Sequence, residues 1–131
     1  MDASPRKVAV HEVAASRHRG GEIRVLLSPK TVGATSGFLG VLRLGPGERV
    51  TEHYHPYSEE FLYVVRGRLL VRVGGEPVEL AAGEALLLSI EARHHVENIG
   101  EDTAEAVFHL CPLAPRPELG HVDTETPDVA G

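Results

Sequence analysis

The sequence lacks the features that usually mark a secreted or membrane-embedded chain. It has a single cysteine, Cys111. That excludes an intrachain disulfide framework and any cysteine-rich zinc module. Its longest mostly apolar run, Ala85 to Ile90, is broken by Ser89. A membrane-spanning helix needs ~20 apolar residues, so none is expected. Charges occupy the amino-terminal residues where a signal peptide carries an apolar stretch. A cytoplasmic location is therefore expected. Positive charge is in deficit, with 13 basic against 19 acidic residues and a formal charge of −6, which argues against a nucleic-acid partner. No internal repeat is visible. No stretch longer than about ten residues holds a capped helical period; Val10 to Ala15 is the one candidate for a short helix.

Turns are abundant. Fourteen glycines and nine prolines fall between short apolar runs, the pattern of an all-β protein. The 131 residues suit one domain. Strands are expected at Ile23–Leu27, Phe38–Leu44, Val50–His55, Glu60–Val65, Arg68–Val73, Pro77–Leu80, Ala85–Ser89, His94–Asn98 and Ala104–Leu110. Turn residues recur every 8–12 residues or so, as in a sandwich or barrel. We divide the chain into an amino-terminal extension (1–19), a barrel (20–112) and a tail (113–131) that is either disordered or laid extended across the barrel.

Eight histidines are present. Two pairs, His53/His55 and His94/His95, sit in expected strands. Residues two apart on a strand share a face, so His53 and His55 project together, with Thr51 beside them, and can chelate one ion. Alone, such a pair is as readily two solvated side chains. The wider pattern is more specific. Gly47, His53, His55, Glu60 and Gly67 read G-x5-H-x-H-x4-E-x6-G, and Gly83, His94 and Asn98 read G-x10-H-x3-N. These spacings resemble the two motifs of the cupin superfamily, in order, from about Gly45 to Gly100.

The resemblance implies a small all-β jelly-roll barrel, a single-domain cupin. It implies that His53, His55, Glu60 and His94 converge on one divalent metal inside it. Glu60 rather than Glu59 fits the spacing to Gly67, and His94 rather than His95 the spacing to Asn98. Three imidazoles and a carboxylate hold a first-row ion and leave positions open for substrate. One departure stands out: the second motif usually has Pro-x-Gly before its histidine, and this chain has Ser89-Ile90-Glu91, which puts that turn's geometry in question. Asn98 is expected to make local backbone hydrogen bonds.

Arg19 to Val41, Glu52 to Gly67 and Phe108 to Glu125 resemble the single-domain cupin cyclases of aromatic polyketide biosynthesis, of the tetracenomycin and resistomycin type. That resemblance implies a zinc-associated enzyme (iron, nickel or manganese being the alternatives) that closes rings in a poly-β-ketone made by a type II synthase. An aldol closure enolises one carbon, joins it to a distant carbonyl and loses water. Phe38, Leu42, Leu44, Leu62, Val64 and Leu86 are the expected cavity walls. His109 is a candidate for catalytic base, further ligand or core residue; sharing a face with Val107 and Cys111 suits an inward orientation. Tyr54 and Tyr63 are expected to face away from the metal. His11, His18 and His121 are expected to be solvated. Arg66, Arg68 and Arg72 alternate as if on one strand face and are a candidate docking patch for an acyl carrier protein. A homodimer is expected, with Ile23–Leu27 adding to a partner's sheet edge. Two other functions fit the same ligands: an Fe(II) oxygenase acting on a small aromatic or diketone, and a non-enzymatic binding module.

Overall fold

The computed structural model describes residues 4–125. Among these described residues ten strands form two five-stranded antiparallel sheets. The first has the order β1 (Glu22–Leu27), β2 (Phe38–Leu44), β9 (Ala104–Cys111), β4 (Glu59–Arg66), β7 (Ala85–Leu88). The second has the order β10 (Val122–Asp123), β3 (Arg49–Tyr54), β8 (His94–Asn98), β5 (Arg68–Val73), β6 (Glu76–Ala81). All nine expected strands are present within a residue or two at their ends. Four short elements were not read correctly from the sequence: β10, a one-turn helix α1 (Pro29–Val32) capped by Ser28, a 3-10 turn at Pro117–Leu119, and the amino-terminal helical turn, which spans Val10–Glu12 only. Among the described residues no helix is long and apolar enough to cross a membrane.

Alternation builds the core. Along β9, Ala104, Ala106, Phe108 and Leu110 are buried while their neighbours are partly exposed. On β4, Leu62 and Val64 point inward against them, and Leu44, Leu69, Val71, Leu88 and Val96 fill the space between the sheets. Gly67 turns the chain from β4 in one sheet to β5 in the other. Its φ is +83°, and a Cβ there would lie 2.7 Å from the Ala104 Cα, so no other residue fits without displacing backbone.

The topology bears on two surface expectations. Arg66 ends β4 and Arg68 begins β5, so the three arginines do not share a strand; Arg68 also lies 3.7 Å from Glu79. The outer edge of β1 is not free along its length, because Ser16 and Ile23 exchange backbone hydrogen bonds of 2.7 and 2.9 Å.

Candidate metal centre

His53 and His94 are direct partners on adjacent strands β3 and β8. Glu60 projects from β4 in the facing sheet, and His55 follows the end of β3. A β-bulge shapes β3: Val50 pairs with Val96 and His53 with His94, so one extra residue is accommodated between them. The bulge turns Val50 into the cavity alongside His53 and His55. The sequence reading placed Thr51 there instead. Thr51 is buried in the bulge and supplies its carbonyl to the site.

The four side chains are all buried, and their ligand atoms lie within 4.8 Å of one another. Each imidazole is oriented by the backbone. Nδ1 of His53 lies 2.8 Å from the Thr51 carbonyl, Nδ1 of His55 2.9 Å from that of Gly120, and Nδ1 of His94 2.9 Å from that of Ala92. A carbonyl only accepts, so each Nδ1 carries a proton and each Nε2 turns its lone pair inward. His55 Nε2 and His94 Nε2 sit 3.1 and 3.3 Å from the same oxygen, Glu60 Oε1. The His94 atom is buried and makes no hydrogen bond. Three lone pairs and a carboxylate facing one another repel unless a cation or a proton lies between them. The donor set, the tautomers and the orphaned His94 Nε2 fit a divalent ion.

Electrostatics without an ion agree. Burial, helped by the neighbouring His94 charge, pushes His53 down to about 3. Burial alone would raise Glu60; His55 and His94 outweigh it and hold the carboxyl well below the usual range. For His94 burial acts downward, but the Glu60 carboxylate wins and lifts its affinity for a proton.

A cavity of about 710 Å³ opens on this cluster, within the ~300–1,000 Å³ of small-molecule sites. Phe38, Leu42 and Leu62 line it as expected, joined by Val50, Phe108 and Leu113. Leu44 and Val64 are fully buried core behind it, and Leu86 packs on the core from the edge strand β7. These three are therefore not walls of this cavity. His109 points the other way. It lies across from Phe61, which is 46% exposed, on the outer face of the first sheet, with the two rings 5.9 Å apart. Tyr63, 48% exposed, shares that outer face.

The sequence reading missed His121. Its ring stacks on His53, with centroids 4.3 Å apart and planes 16° from parallel. Its Nε2 lies 2.6 Å from Arg19 Nε and 2.8 Å from Asp123 Oδ1. Burial, against the pull of Asp123, pushes it down to about 4, so the ring is neutral near pH 7. The signal for it was His121-x-Asp123, two polar residues of one parity in a short strand-forming stretch.

Glu91 answers the question of the altered turn. It adopts the left-handed conformation itself, with φ 69°, and its amide donates to the His55 carbonyl at 2.9 Å. Asn98 is structural: its amide nitrogen donates to the carbonyls of Leu44 and Asp102, and its oxygen accepts from the Gly100 amide.

Comparison with known proteins agrees with this geometry. The cupin domain family model matches residues 40–110. Polyketide synthase CurC of Streptomyces cyaneus is 56% identical over 126 residues, 96% of this chain and 82% of CurC. Tetracenomycin polyketide synthase protein TcmJ of Streptomyces glaucescens is 56% identical over 94% of this chain and 83% of its own. In fold, the chain is similar to the polyketide cyclase RemF from Streptomyces resistomycificus, with a TM-score of 0.74 at 16% identity over 95% of this chain and 89% of RemF. The chain thus belongs to the cupin family, and within it is similar over nearly its whole length to the CurC and TcmJ polyketide synthase proteins.

Proposed function

We propose that this protein is a metal-dependent polyketide cyclase that closes and aromatises a ring in a poly-β-ketone by an aldol reaction. The observation that carries the reading is the convergence of His53, His55, Glu60 and His94 at one end of a largely apolar cavity. His53, His55, Glu60 and His94 would hold a divalent ion, zinc by preference, which would supply a Lewis acid for a ketone oxygen and for enolate charge. The chain's own residues do the rest. Phe38, Leu42, Leu62 and Phe108 enclose the flexible substrate, limit its folded shapes and exclude water. The three backbone carbonyls hold the imidazoles so that their Nε2 atoms stay aimed at one point. His109 faces away, so proton transfer falls to groups that line the cavity, of which His121 is the imidazole outside the four-residue cluster. Similarity to CurC and TcmJ over more than nine-tenths of the chain supports a polyketide substrate. The same reading has the substrate arriving on an acyl carrier protein and the chain working as a homodimer.

The test is to supply a poly-β-ketone from a type II synthase to the metal-loaded protein, the chelator-stripped protein and the His53→Ala/His55→Ala variant. The loaded protein is expected to shift products toward the ring-closed compound, and the other two are expected not to. A product profile that survives loss of metal contradicts the reading. Stoichiometric iron with oxygen uptake would replace it with the oxygenase.

A further inference from the structure

The carboxy-terminal segment does not merely cross the barrel; it touches two of the four cluster residues. The Gly120 carbonyl accepts from His55 Nδ1 at 2.9 Å. His121 stacks on the His53 ring at 4.3 Å. The following residues clamp this arrangement to β3. Asp123 is the register partner of His53. The Thr124 amide donates to the Glu52 carbonyl at 3.0 Å, and its hydroxyl donates to the Glu52 carboxylate at 2.7 Å. The Glu52 amide in turn donates to Glu125 Oε1 at 2.8 Å, and Glu125 Oε2 lies 3.3 Å from Arg49.

We infer that residues 120–125 form an outer shell of the metal centre, in which Gly120 fixes His55, His121 braces His53, and docking of β10 on β3 is coupled to metal binding. The inference rests on the proposed metal centre. His55 has the greatest need of such a partner, because it lies beyond the end of β3. His53 and His94 take their carbonyls from residues two positions earlier in their own chain segments, whereas His55 takes its carbonyl from a residue 65 positions away. When the tail lifts, His55 loses the acceptor that sets its tautomer and ring plane. Loss of such a partner lowers metal affinity by roughly 10–100-fold. Coupling between two binding events is reciprocal, so a metal that favours the docked tail must lower the equilibrium population of the lifted tail by the same factor.

The experiment uses the full chain and Zn(II). Amide hydrogen exchange is compared between zinc-loaded and metal-free protein, and zinc affinity is measured by chelator competition for the wild type and Thr124→Pro. Proline removes both the amide and the hydroxyl that hold the tail. We expect the Thr124 amide to exchange about tenfold more slowly with zinc bound, and Thr124→Pro to bind zinc about tenfold more weakly. Equal exchange with and without zinc overturns the coupling, and so does unchanged affinity in Thr124→Pro. The exchange comparison needs no variant, so it decides the matter even where Thr124→Pro folds poorly. A wild-type chain that binds no zinc is a different outcome: it removes the metal centre itself.

Discussion

Glu91 holds a left-handed backbone conformation with φ 69°, a region that costs a non-glycine residue ~1–2 kcal/mol. The turn is nonetheless made, because the Glu91 amide is tied to the His55 carbonyl. Glu91→Gly relieves the strain at some cost in unfolded-chain entropy. We expect a net stabilisation of about 0.5–1 kcal/mol, read as a rise of a few degrees in the thermal midpoint, with metal binding intact. Asn98 works in the opposite sense. It is 2% exposed and makes three side-chain hydrogen bonds to backbone groups. Asn98→Ala is expected to cost about 2–3 kcal/mol in denaturant unfolding while leaving metal stoichiometry unchanged. His109→Ala is expected to leave both metal content and product profile unchanged, since the ring lies on the outer face opposite Phe61. A changed metal content would contradict that placement. Why was its orientation illegible? Both faces of β9 are apolar: Ala106, Phe108 and Leu110 on one side, Val107 and Cys111 on the other. Alternation fixes a period but not its phase. At His53, His55, Glu60 and His94, motif spacing supplied the phase that alternation alone did not.

At the scale of elements, the nine long strands were legible because each is an alternating or apolar run closed by glycine, proline or a polar turn. The bulge in β3 was not, since an extra residue in a ladder changes which neighbours share a face without changing composition. Nor was β10, two residues long and formed only by docking on β3. His121 was missed for the same reason, and with it one wall of the cavity. Gly67 shows how tightly an element junction is constrained. Gly67→Ala places a methyl 2.7 Å from the Ala104 Cα in a left-handed turn. We expect it to destabilise by about 2 kcal/mol or more, measured by urea unfolding, and a neutral effect would contradict the tight crossing between sheets.

For the whole molecule, the site exists because two sheets face each other. Glu60 comes from one and His53 and His94 from the other, so the cluster assembles only when the sandwich closes. The metal-free protein then carries a penalty that depends on pH. His53 and His121 take up a proton near 6.5 when unfolded but only near 3 and 4 when folded. Between those values the unfolded chain binds more protons, so stability falls as pH falls. Glu60, held low in the folded state, adds to the loss at more acid pH. His94, whose proton affinity is raised, is protonated in both states below its ordinary value and adds no slope there. The thermal midpoint of metal-free protein is expected to decline from pH 6.5 to pH 4, and a flat or rising midpoint would contradict the burial of neutral imidazoles. Whether the four side chains hold an ion is decided by elemental analysis of protein reconstituted with zinc and freed of excess ion. One ion per chain is expected in the wild type, and loss of that ion in His53→Ala/His94→Ala. A wild-type chain that emerges without bound metal would contradict it.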